Sequence, residues 1–256
     1  MTLAYGSATG LAVKLSISPI SGKTMTIDVC VFFCGRSGYI VLKCGYQGVT
    51  RDVRPVGDYI LAFKSCCVEL VSISPFPGEE GQAHGTDPAF HRFHLAPSEL
   101  FSDASLSEPQ PSPDSASNSL IVYALACGTC FGCFYFRITI HDPNYVPSGP
   151  RAKVDIDLLG FYRLEEYSWL YGTLLGPEGK RGFWIQRAPS SRQEILVTVS
   201  FDQSRPETME LQSGDDFEEI CEAAPPMEPG VSTWVLGPWD KGGEYTTRMS
   251  TLPQKV

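Results

Sequence analysis

The sequence predicts an all-β protein, a propeller-like array of short antiparallel strands that is incomplete at its N-terminus. Three observations carry this. Apolar and polar residues alternate over short runs, the period of a half-buried strand. The gaps between runs are punctuated by Gly and Pro, which number 24 and 20 in a chain of 256 residues, as strand–turn–strand chains require. Helical patterning is scarce, and helix breakers at this frequency leave little room for a bundle.

The elements follow in chain order. Leu11, Val13, Leu15 and Ile17 share one face of a strand, with Lys14 and Ser16 on the other. Ile27, Val29, Val31 and Phe33 repeat the pattern, as do Phe134, Phe136, Ile138 and Ile140. The runs Tyr59–Phe63, Val68–Ile73, Leu120–Ala126 and Ile195–Val199 read as more fully buried strands. Pro97–Phe101 predicts one helical turn, and Asp215–Ala223 a short helix with acidic residues at its N-terminus. Residues 102–119 are Ser, Pro, Asp and Glu with almost no bulky apolar side chain, which predicts a disordered loop. A smaller loop is expected at Pro75–Thr86. The strands on both sides of 102–119 look alike, so residues 1–256 are read as a single domain. At about 40–45 residues per blade, the length corresponds to roughly five or six blades.

Composition bounds the function. Hydrophobic residues make up 43% and charged residues 19%, a globular balance. Twenty basic against 29 acidic residues give a net charge of −9, which argues against a nucleic-acid partner, because phosphate contacts need basic patches. No apolar run approaches the ~20 residues of a bilayer-spanning helix, so no membrane partner is expected. The opening lacks a basic stretch, and Gly6, Ser7, Thr9 and Gly10 interrupt its apolar residues, unlike a signal peptide. The expected location is cytoplasmic or nuclear, and most of the nine cysteines are read as small buried thiols.

Candidate chemistry is sparse. Cys127, Cys130 and Cys133 have the spacing of cluster ligands, but Arg137 stands where the bacterial iron–sulfur pattern has its fourth Cys. His84, His91 and His94, with Asp87 between the first two, could supply three zinc ligands, though in no defined zinc spacing. The bland readings are strand thiols and surface histidines, so no metal and no cofactor are expected. No nucleophile elbow, P-loop or dinucleotide fingerprint occurs. Gly176–Lys180 superficially resembles a phosphate loop, without its spacing or its Ser/Thr, and is assigned to a turn. Phe161, Tyr162, Tyr167, Trp169, Tyr171, Phe183 and Trp184 crowd one region, as core or as a recognition surface.

The stretch Tyr171–Arg187 carries Gly176, Pro177, Gly179, Arg181, Trp184 and Arg187. It resembles a G-P-x-G-x-R-x-x-W-x-x-R segment of F-box-type proteins from mushroom-forming fungi. Tyr5–Gly10 also resembles their Gly-rich strand turn. The resemblance covers about a third of the chain. It implies a β-rich, propeller-like region that captures a target protein for a ubiquitin ligase. No Leu/Pro-rich helical F-box precedes the first strand, so a Skp-type adaptor is a partner only if such a segment lies upstream. The expectation is a non-catalytic protein-interaction module of unknown target. The alternative is a β-scaffold hydrolase or a metal-dependent enzyme. In the motif, Gly176-Pro177 fixes a turn, Gly179 and Gly182 permit close turns on either side of Lys180-Arg181, and Arg181 anchors a neighbouring loop or faces a partner.

Overall fold

Three antiparallel sheets stack face to face in the larger of the two units into which the chain divides. The computed structural model describes residues 4–6, 12–20, 24–32, 50–72, 90–95, 101–113, 118–128, 132–144, 152–163, 169–187, 194–201, 203, 209–210, 221–227 and 232–236. One compact unit is Met1–Thr50 with Ser74–Asp87, the other Arg51–Ile73 with Pro88–Val256, where the sequence reading has one domain.

The first unit holds β1 (Ala4–Gly6), β2 (Ala12–Ile20) and β3 (Thr24–Phe32), an antiparallel sheet in that order. Its register opposes Val13 to Val31, Leu15 to Val29 and Ile17 to Ile27. The alternation that predicts these strands therefore also aligns their apolar positions.

The second unit is built around a central sheet. Its strands are β8 (Phe101–Leu106), β9 (Gln110–Pro111), β10 (Ser119–Gly128), β11 (Gly132–His141), β12 (Lys153–Arg163) and β16 (Met209–Glu210). Their order is β16-β12-β11-β10-β8, with β9 also on β10. On one side lies the sheet β4 (Thr50–Val56), β5 (Tyr59–Lys64), β6 (Cys67–Ser72) and β7 (Phe90–His94), in that order. On the other lies the sheet β13 (Trp169–Leu175), β14 (Arg181–Arg187), β15 (Glu194–Ser200) and β17 (Ser232–Leu236).

The period of 2 decides which core each residue joins. Val122, Ala124 and Ala126 of β10, with Phe134, Phe136 and Ile138 of β11, pack against Leu61 and Phe63 of β5 and Leu70 of β6. The intervening Tyr123, Leu125 and Cys127, with Cys133 and Tyr135, pack against Leu170, Trp184, Val197 and Val199. Edge-to-face rings knit the first core, with Phe101 5.5 Å from Phe63 and 5.6 Å from Phe134. Sheets buried on both faces explain why Leu120–Ala126 reads as an unbroken apolar run rather than an alternating one.

Two expectations need correction. Much of the tract 102–119 is ordered strand, and Phe101, which opens it, starts β8 rather than closing a helical turn. Phe101, Ala104 and Leu106 are buried, and small polar side chains between and just after them are hydrogen-bonded: Ser102 Oγ donates to the Cys127 carbonyl, and Ser107 Oγ accepts from Tyr123 N. Composition misleads here because Ser102, Asp103, Ser105 and Ser107 pair with backbone groups instead of with water. Residues 114–117 lie outside the described residues, as does the expected loop Pro75–Thr86. Of the expected helix Asp215–Ala223, the described part is a single turn at 221–223. The fold is all-β, and among the described residues no sheet is closed on itself. Among the described residues no helix is long and apolar enough to cross a membrane.

Candidate functional site

The first strands of the three stacked sheets, β4, β8 and β13, are joined by side chains. Each is an edge strand of its own sheet, so one row of its backbone groups has no strand partner. Side chains of β4 serve β8. Asp52 Oδ2 accepts from Leu106 N at 2.8 Å, Arg54 Nη2 donates to Leu106 O at 3.0 Å, and Arg51 Nε donates to Phe101 O at 2.9 Å. Side chains of β8 in turn serve β13. Asp103 Oδ2 accepts from Thr173 N at 2.7 Å, and Ser105 Oγ from Leu175 N at 3.0 Å. The result is a polar seam across three sheets, running always from one first strand to the backbone of the next.

Charge along the seam is tightly used. Burial pushes the Asp52 carboxyl above the ordinary carboxylate value, against the pull of Arg54 and of the Leu106 and Val53 amides. Burial likewise lowers the Arg51 guanidinium, with Asp103 opposing it. The oxygens of both carboxylates are engaged: Asp52 by Val53 N, Leu106 N and Arg54, Asp103 by Ala104 N and Thr173 N. Both act as fasteners.

At β13 the seam meets an apolar surface. Trp169 is 70% exposed, Leu174 52% and Tyr171 37%, while Leu170 and Leu175 of the same strand are buried in the core. A register shift between Tyr171 and Leu174, with Gly172 at φ 64°, interrupts the simple alternation. Phe183 and Ile185 on β14 and Leu196 on β15, all half-buried, alternate with inward-facing residues and extend the same outer face. A polar rim adjoins it. Arg187 lies opposite both Trp169 and Glu194, and Glu194 bonds the Tyr171 hydroxyl. Partial burial first, and then this carboxylate, push Tyr171 up to about 12.

The motif residues divide between the two faces of this sheet. Gly176 N donates to Arg181 O, and Gly179 N to Gly176 O, which closes the turn. Pro177 O accepts from Glu108 N at 2.9 Å, tying the turn to the central sheet. Gly179 sits at φ 72°, and a Cβ there would lie 2.6 Å from the Tyr123 ring. Its carbonyl accepts from Tyr135 Oη at 2.8 Å. A Cβ on Gly182 would fall 2.8 Å from Leu125. Trp184 is fully buried, its ring 5.2 Å from that of Tyr162. Arg181 and Arg187 are exposed. Anchoring of the turn thus comes from the glycines and Tyr135, and the two arginines stand toward solvent.

The other candidates are partly brought together. Cys127 and Cys133 are directly opposed on β10 and β11, with their sulfurs 2.8 Å apart. Cys130 lies outside the described residues, as does His84. His91 and His94 are on β7, opposite Leu70 and Cys67, but their side chains are outside the description. Among the described residues no three His, Cys, Asp or Glu side chains gather as a metal site would require. The seam escapes a reading of the sequence because its partners are about 50 to 70 residues apart. No protein-family model, curated protein or solved structure matches the chain.

Proposed function

We propose that this chain is a non-catalytic protein-interaction module in which the stacked sheets are successive blades of an open, propeller-like array. The partner binds the outer face of β13 and β14. The single observation that carries the reading is the exposed set Trp169, Tyr171 and Leu174 beside Arg187, a composition favoured at binding hot spots. Support for the blade reading comes from the meander order β4-β5-β6-β7, from the consecutive runs β10-β11-β12 and β13-β14-β15, and from the repeated first-strand seam. The likeness of Tyr171–Arg187 to fungal F-box-type proteins fits a target-capture role, and a Skp-type adaptor is a partner only if an F-box lies upstream.

The test places a photo-cross-linking residue at Trp169 and, as a control, at Lys153 on the central sheet. The expected result is one adduct in cells from position 169 only, lost when Tyr171 and Leu174 are both changed to Ser while thermal unfolding is unchanged. The same adduct from both positions, or its persistence in the double variant, would overturn the reading.

A further inference from the structure

Cys127 and Cys133 occupy an unusual place. They face each other near the end of the β10–β11 hairpin, both fully buried. Their Sγ atoms are 2.8 Å apart. In the same row, Asp103 of β8 stands opposite Cys127, and Tyr162 of β12 opposite Cys133. The Thr173 hydroxyl of β13 donates to Cys127 Sγ at 3.2 Å, while Thr173 N is held by Asp103. The thiols thus lie where the central sheet meets the seam. Directly opposed partners on antiparallel strands hold their Cβ atoms about 4.5–5.5 Å apart, at the upper edge of the roughly 3.5–4.5 Å a disulfide spans. Closure of the bond therefore asks for a small approach of the two strands.

We propose that Cys127 and Cys133 are a redox-sensitive pair, a modification site at which a small hydroperoxide converts two buried thiols into a cross-strand disulfide. In the first step one thiolate attacks a peroxide oxygen and the O–O bond breaks. Hydroxide leaves, is protonated to water, and the sulfur becomes a sulfenic acid. In the second step the other thiol attacks that sulfur, the S–O bond breaks, and a second water departs. Two electrons and two protons pass from the pair to hydrogen peroxide, giving one S–S bond and two waters. Burial, the neighbouring Cys127 thiol and the Asp103 carboxylate hold the Cys133 proton well above its ordinary range. Oxidation therefore proceeds slowly, through local separation of β10 from β11 at this pair, and the disulfide then ties the two strands together there. The Thr173 bond links this event to β13, on whose outer face the exposed aromatics lie.

The test uses the full chain, reduced and then exposed to hydrogen peroxide. Remaining thiols are alkylated in denaturant and the peptides mapped by mass spectrometry. The expected product is a Cys127–Cys133 link, lighter by two hydrogens, with an unfolding midpoint raised by several degrees and restored by dithiothreitol. A link from either residue to Cys130 overturns the proposal. So does recovery of both as alkylated thiols under conditions that oxidise the half-exposed Cys66, or conversion of either to sulfinic acid. The mapping is done on the unaltered chain, so it does not depend on any variant folding.

Discussion

The sheets on either side of the central one differ in their treatment of the outer face. In the β4–β7 sheet, β5 buries all six residues, Ile60 and Ala62 as fully as Leu61 and Phe63. In the β13–β17 sheet, β13 buries Leu170 and Leu175 but presents Trp169, Tyr171 and Leu174 to solvent. Yet both outer faces are mainly apolar. The second sheet carries the composition of a layer covered on both sides, with one side open. Burial on both faces also changes which charges are tolerated. The β4–β7 sheet encloses the pair Lys64–Glu69, whereas the β13–β14 turn carries Lys180–Glu178 in water.

The largest expected difference lies in those two pairs. Glu69→Ala leaves the Lys64 ammonium buried without its carboxylate, and should cost about 3–5 kcal/mol. Glu178→Ala should cost about 0–1 kcal/mol. Denaturant midpoints of the two variants measure the contrast, and equal shifts would break it.

A smaller effect compares two left-handed glycines on either side of the open sheet. Gly179 meets the buried Tyr123 ring and Gly172 only the tip of Ile185. Gly179→Ala should lower stability by about 1–3 kcal/mol, and Gly172→Ala by about 1–2 kcal/mol, the backbone cost alone. The gap between them in equilibrium unfolding reports how tightly the turn is pressed on the central sheet.

The smallest is a pH effect in the seam. The Asp52 carboxyl is raised above its ordinary 3.8 by burial, so the folded state holds this proton longer than the unfolded chain. The resulting stabilisation is full below the unfolded value and lost as pH rises through the folded one. Asp52→Asn should flatten this part of the stability–pH curve. An unchanged slope would show that the Asp52 proton is not held by the fold.

Much of the strand pattern was legible. Tyr59–Phe63, Val68–Ile73, Leu120–Ala126 and Ile195–Val199 fall on β5, β6, β10 and β15 with end shifts of a few residues. Local alternation and apolar runs carry these strands, and a single strand contains both in full. The tract 102–119 has the composition of a loop yet holds β8, because Asp103 and Ser105 are satisfied by Thr173 and Leu175, about 70 residues away. The crowded aromatics were visible, but not their sorting. Trp184 is buried and Trp169 exposed because of pairing parity, which depends on register. Cys127 and Cys133 stood out as a spacing for metal ligands, while the fold sets them face to face through a hairpin.

The seam also has a direction. Side chains of β4 fasten β8, and those of β8 fasten β13, never the reverse among these bonds. A stack assembled by such a rule is polar, like a filament with distinct ends. One end is defined by the strand that only gives side chains, the other by the strand that only receives them. Lengthening such a stack past β13 would require β13 itself to supply the fastening side chains. Its residues Trp169–Leu175 include no Asp, Glu, Lys or Arg, so by its own rule the seam ends at this strand.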